Sequence, residues 1–158
     1  GLVGSEMCIR DRINSLAEPD KKMSKSDSNE NAVVRILDGR DVIIKKFKRA
    51  VTDSGAEVRR ADDKSGVSNL MTIYSAFTGK SDEEIEREFE GRGYGDFKLA
   101  VGEACADALA PVQAEYERLL ADRAYLESVM RAGAEDAAYA ASRTMSKVNR
   151  RIGFTDLK

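Results

Sequence analysis

The feature that most constrains this chain is its apolar spacing after residue 66. Phe97, Val101, Cys105, Leu109, Val112, Tyr116 and Leu119 recur at intervals of four or three. That spacing puts side chains on one face of an α-helix. Pro111 falls inside the run and lacks an amide hydrogen, so the helix should kink or split there. Ahead of it, residues 68–78 (SNLMTIYSAFT) read as an apolar helix ending at Gly79. Ser81 with Glu84 makes a capping box that starts a helix over 82–90, terminated by Gly91 and Gly93. Behind it, 123–132 reads as a helix closed by Gly133. A last helix runs from about Glu135 to Ile152 and is closed by Gly153, with Ala137, Ala141, Met145, Val148 and Ile152 as its stripe. From residue 66 onward the expectation is a bundle of about five helices.

The first third reads differently. Residues 21–31 (KKMSKSDSNEN) are polar, without an apolar period, and form a loop. Residues 32–37 (AVVRIL) are short and β-branched, which favours a short strand. Asp38-Gly39 makes a turn, and Asp41 caps a helix whose stripe is Ile43, Phe47 and Val51. Residues 52–65 are a charged, turn-rich surface excursion. Residues 1–12 (GLVGSEMCIRDR) have no helical or strand period and no signal-peptide core. They resemble translated sequencing-adapter read-through, the alternative being a short native loop.

Composition excludes whole classes of chemistry. The 158 residues include no His, so Ser-His-Asp and Cys-His nucleophile systems, an imidazole base and His-ligated zinc are ruled out. Cys8 and Cys105 are too few for a zinc ribbon or a disulfide framework and read as reduced, intracellular thiols. Cys105, on an apolar stripe, reads as structural. No apolar run approaches the roughly 20 residues that span a bilayer. The formal net charge is only −2, but it is unevenly placed. Residues 21–50 hold nine basic and four acidic side chains, a local +5, whereas 81–90 holds six carboxylates and one arginine. Arg143, Lys147, Arg150 and Arg151 make the C-terminal helix basic, a candidate surface for nucleic-acid phosphates.

One string carries chemistry: Lys22-Met23-Ser24-Lys25-Ser26. Two ammonium groups three residues apart on a loop can neutralise phosphate oxygens, while hydroxyls and loop amides donate to the oxygens between them. Charge builds on pyrophosphate as it leaves the α-phosphate of ATP, and lysines that tighten there stabilise the transition state.

The string KMSKS is the signature of class I aminoacyl-tRNA synthetases. The segments SLAEPDKKMSKSDSN, AVTDSGAEVR, GVSNLMTIYSAFTG and FEGRGYGDFK, in that order, resemble the bacterial tryptophanyl-tRNA synthetase family from about Ile13 to Gly153. The resemblance implies ATP-dependent activation of tryptophan, with Mg²⁺ bound alongside ATP, and transfer to tRNA(Trp) by a cytoplasmic homodimer with no membrane association. It places Lys22, Met23, Ser24, Lys25 and Ser26 at the ATP phosphates, with Lys25 as the first choice for the pyrophosphate contact and Lys22 as the second.

The implied fold is mainly α: a helical, anticodon-binding region preceded by the KMSKS loop and a short strand. The family's HIGH-like motif and most of its Rossmann catalytic domain should be missing, since the chain has no histidine. The implied organisation is a non-native leader over 1–12, the KMSKS loop and end of the catalytic domain over 13–50, a helical tRNA-contacting domain over 51–154 and a tail over 155–158. On that reading the chain alone makes no adenylate. Two alternatives stay open: a catalytically inactive helical RNA-binding or interaction module, and a tyrosyl-tRNA synthetase relative.

Overall fold

The computed structural model describes residues 12–154, so the leader up to residue 11, with Cys8, and the tail from 155 lie outside the described residues. Five helices lie within it: α1 (Arg40–Lys48), α2 (Ser65–Thr78), α3 (Asp82–Glu88), α4 (Tyr94–Ala121) and α5 (Arg123–Ile152). The chain divides into a first compact unit reaching Gln113 and a second beginning at Ala114.

The core belongs to the first unit. Helix α2 is its centre: Gly66, Val67, Asn69, Leu70, Met71, Ile73 and Tyr74 are all buried, which leaves few positions on that helix facing water. Ile43 and Phe47 from α1, Ile85 from α3, and Phe97 and Val101 from α4 close around it, together with Leu16 from the N-terminal segment. Phe89 and Phe97 meet edge to face at 5.0 Å, and Tyr74 joins them at 5.7 and 6.2 Å. Such aromatic pairs add about 1 kcal/mol beyond burial. A Cβ on Gly66 has no room, since it would stand 2.2 Å from the Val51 carbonyl oxygen, and one on Gly102 would be tight, at 3.1 Å from Ile44 Cα.

Several sequence expectations hold. The Ser81–Glu84 capping box is formed in both directions at the start of α3. Gly79 and Gly153 end α2 and α5 in the left-handed conformation. Cys105 is buried, and burial pushes its thiol up to about 11.

Others are corrected. Residues 32–37 are not a strand, and among the described residues the only pairing is an isolated antiparallel bridge between Asn14 and Lys22. The reason lies in where the carbonyls go. Lys46 Nζ donates to Val33 O at 2.9 Å, and Gln113 Nε2 donates to Ile36 O at 2.7 Å and Asp38 O at 2.9 Å. Two side chains, a turn amide (Asp38 N to Arg35 O) and one amide of the N-terminal segment (Leu16 N to Ala32 O), not a strand ladder, satisfy this backbone. Asp41 is not the cap of α1; Gly39 stands there without a side-chain bond, and Asp41 sits in the first turn, where its carboxylate faces the positive helix end. Val51 lies beyond α1 and is exposed; Ala50 is buried in its place.

Helix α3 ends at Glu88, before Gly91, although Gly91 does turn the chain with a positive φ. Pro111 does not split α4, which runs unbroken from Tyr94 to Ala121. Its stripe is buried as far as Cys105, half-buried at Leu109, and exposed at Val112 and Tyr116. Gly133 does not close a helix either. Its φ is not positive, and Met130, Arg131, Ala132, Ala134 and Glu135 around it are good helix formers. Helix α5 is therefore one rod of 30 residues, and it contains no buried residue: the stripe of Ala137, Ala141, Met145, Val148 and Ile152 faces solvent.

Candidate phosphate-binding loop

The loop grows out of a short hairpin. Ser15 Oγ accepts from the amides of Ala17 and Glu18, both at 3.2 Å, and bends the chain. Lys21 N then closes a turn onto Glu18 O at 2.9 Å. The returning arm pairs with the outgoing one: Ser15 N donates to Lys21 O at 2.8 Å and Met23 N to Ile13 O at 3.1 Å, with Asn14 opposite Lys22. Met23 packs half-buried against the core, which fixes the middle of the motif.

Beyond Met23 the loop folds on itself. Ser24 and Ser26 hydroxyls meet at 3.0 Å, and Asp27 N donates to Ser24 O at 3.1 Å. Asp27 and Asn29 then accept from the amides two residues on, at 2.8 and 3.0 Å, as turn-forming side chains do. The backbone is thus organised, while Ser24, Lys25 and Ser26 stay exposed.

The lysines divide into two kinds. Lys21 pairs with Glu18, which raises its pKa through that hydrogen bond. Lys22 and Lys25 are exposed and make no ion pair with any described residue. Their charges are available to an external anion. The cations of α1 divide similarly. Lys46 is buried, donating to Asp38 Oδ2 at 2.6 Å. Burial opposes the Asp38 charge, but the bonds from Lys46 and the Arg35 amide outweigh it and hold that carboxyl below the usual range. Arg40 pairs with Asp107 on α4. The local +5 read in the sequence is therefore partly spent inside the fold.

The hairpin is fastened to the core at three points. Leu16 N donates to Ala32 O at 3.0 Å, and Val51 N donates to Leu16 O at 2.7 Å. The third is Asn69 on α2. Its Oδ1 accepts from Asn14 N at 2.9 Å, and its Nδ2 donates to Asn14 O at 3.0 Å. Sequence reasoning missed Asn69 and Asn14. The signal was present: an asparagine inside the otherwise apolar run of α2, where a buried amide needs a partner.

A second polar cluster lies at the start of α4. Tyr94 Oη donates to Asp53 Oδ2 at 2.8 Å and accepts from Lys64 Nζ at 2.7 Å, while Lys64 also reaches Asp53 at 3.2 Å. Burial opposes the Asp53 charge, yet the Gly55 amide, Tyr94 and Lys64 together hold its carboxyl below the usual range. The cluster ties the AVTDSG segment to the GYGDF segment. Beside it, a cleft of about 580 Å³ alternates Glu57, Glu86 and Glu90 with Arg59, Arg87 and Arg92, so it offers no net charge. Among the described residues no three of His, Cys, Asp and Glu converge as a metal site. No helix among them is long and apolar enough to cross a membrane.

Arg143, Lys147, Arg150 and Arg151 lie in the second unit, on α5, and all are exposed. At helical spacing Arg143, Lys147 and Arg150 fall on the side away from Ala137, Ala141, Met145 and Ile152, while Arg151 flanks that stripe beside Ala137. Arg143 stands over the Tyr139 ring at 5.7 Å.

The family of tRNA synthetases class I (W and Y) matches residues 5–110. The tryptophan–tRNA ligase of Clostridium tetani is 48% identical over 143 residues, covering 90% of this chain and 42% of that protein. The tryptophan–tRNA ligase of Wolinella succinogenes is 47% identical over 143 residues, covering 90% and 44%. Among solved structures, tryptophanyl-tRNA synthetase from Mycoplasma pneumoniae superposes with a TM-score of 0.69 at 30% identity, over 91% of this chain and 44% of that one. The Campylobacter jejuni enzyme, solved with ADP and tryptophan, superposes with a TM-score of 0.72 at 26% identity, over 90% and 44%. The chain thus spans less than half the length of the relatives it matches. Two-thirds of its own sequence falls within the family match, and the chain belongs to the tRNA synthetases class I (W and Y).

Proposed function

We propose that this chain is the C-terminal part of a tryptophan–tRNA ligase and that residues 22–26 are its ATP-phosphate loop. The observation that carries the reading is the state of Lys22 and Lys25: exposed and unpaired among the described residues, Lys22 on a hairpin whose backbone is fastened to the core and Lys25 in the turn that follows it. Lys25 takes the pyrophosphate charge as it develops, and Lys22 a second phosphate oxygen. The Ser24 and Ser26 hydroxyls exchange their mutual bond for bonds to phosphate oxygens. Met23 anchors the loop from beneath. Mg²⁺ neutralises phosphate charge and travels with ATP; no acidic cluster among the described residues is assigned to it.

On this reading residues 13–50 end the catalytic part and 51–154 form the tRNA-contacting part. The basic side of α5 (Arg143, Lys147, Arg150 and Arg151) then meets tRNA(Trp) phosphates. Tryptophan and ATP are the small substrates, and the assembled enzyme is a cytoplasmic homodimer.

The test is tryptophan-dependent ATP–pyrophosphate exchange. Fused behind the N-terminal portion of the Clostridium tetani relative, residues 13–158 should restore exchange, while the 158-residue chain by itself should give none. A silent fusion that is folded, or exchange by the chain alone, would overturn the proposal.

A further inference from the structure

Phosphate chemistry at Lys22 needs that side chain presented in a fixed register, yet the exposed Lys22 side chain makes no hydrogen bond or ion pair with any described residue. Its backbone is fixed instead through Asn14, the residue opposite it in the hairpin. Asn14 in turn is held by both polar atoms of one buried side chain: Asn69 accepts from its amide at 2.9 Å and donates to its carbonyl at 3.0 Å. This is the bonding a neighbouring strand would supply, delivered by a helix. Asn14's own side chain contributes nothing comparable, because its Oδ1 is buried without a partner among the described residues.

We infer that Asn69 is a positioning residue for the phosphate loop: it substitutes for a β-partner on the outer side of the 13–16 segment and so sets the register in which Lys22 and Met23 are presented. The inference rests on the proposed role of the loop for its consequence in binding, but not for its structural content. An amide is required at this position. A carboxylate accepts from Asn14 N but cannot donate to Asn14 O, and an alanine does neither. Its α2 neighbours Leu70, Met71 and Ile73 belong to the apolar core, and among the described residues the hydrogen bonds from an α2 side chain to the 13–16 segment are those of Asn69.

The experiment compares the 158-residue chain with its Asn69→Ala, Asn69→Asp and Asn69→Gln variants. Val101→Ala serves as a control that weakens the core away from the loop, and all are measured at a temperature where each is folded. Two readouts are taken: amide exchange at Asn14, Ser15 and Met23, and the affinity for inorganic tripolyphosphate. In Asn69→Ala, exchange at those amides should accelerate about tenfold and tripolyphosphate binding should weaken by a similar factor. Val101→Ala should leave both near wild type, and Asn69→Gln should recover part of the protection that Asn69→Asp does not. Unchanged protection at Ser15 and Met23 in Asn69→Ala, or equal loss in Val101→Ala, would overturn the inference. If the wild-type chain binds tripolyphosphate no better than its Lys25→Ala variant, the phosphate role of the loop fails, while amide exchange still decides the role of Asn69.

Discussion

Gly66→Ala sets two physical effects against each other. Gly66 is the second residue of α2, and alanine is the better helix former by up to about 1 kcal/mol. Propensity alone therefore forecasts a more stable protein. The structure forecasts the opposite. The new Cβ would stand 2.2 Å from Val51 O and 3.1 Å from Thr52 Cα, both backbone atoms. Relief needs a displacement of about 1 Å between the start of α2 and residues 51–52. Val51 is poorly free to move, because its amide is the donor to Leu16 O at 2.7 Å. Overpacking costs about 1–3 kcal/mol and a strained buried hydrogen bond about 1 kcal/mol more. Set against the propensity gain, the net is a destabilisation of about 2 kcal/mol. Urea unfolding followed by far-UV circular dichroism measures it. The same change at Gly133, where a Cβ meets nothing within 4 Å, should be neutral or stabilising by up to about 1 kcal/mol. If Gly66→Ala were as stable as wild type, the close approach of α2 to Val51 would not exist in the folded chain.

Tyr94→Phe keeps the ring but removes the hydroxyl between Asp53 and Lys64, and should cost about 2 kcal/mol at pH 7. Because the Asp53 carboxyl is held below its unfolded value, its stabilisation is present above about pH 4 and is lost as pH falls through the lower folded value. The gap between wild type and Tyr94→Phe in urea midpoint should therefore shrink at pH 3; a gap that grew there would refute the assignment. Cys105, with its thiol pushed up to about 11, should react with an aromatic disulfide reagent at pH 8 about a hundredfold slower than a free thiol while folded, measured in a Cys8→Ser background.

What the sequence revealed and what it hid divide along one line. Local chemistry was legible: the Ser81–Glu84 cap, the glycine stops at 79 and 153, and the buried run Phe97–Val101–Cys105 all follow from spacing and residue type. Breakers were over-read. Gly133 and Pro111 cost a helix something, but not enough to end one flanked by alanine, glutamate, arginine and methionine. Residues 32–37 have β-branched side chains and yet form no strand, since Lys46 and Gln113 capture the carbonyls a partner strand would need.

Burial was the least legible. The α5 stripe has the spacing of a core face and faces solvent, because periodicity reports amphipathicity and not what covers it. The loop itself was visible as KMSKS. Its support was not, since the Asn14–Asn69 and Leu16–Val51 links join positions far apart in sequence.

The most direct measurement is a kinetic one on Lys25→Ala in the fused, active enzyme. If Lys25 meets charge that develops on the departing pyrophosphate, the rate constant of tryptophan-dependent pyrophosphate exchange should fall by roughly a hundredfold or more, with the KM for tryptophan nearly unchanged. An unaltered rate constant, or a loss confined to the tryptophan KM, would contradict the assignment of residues 22–26 as the phosphate loop.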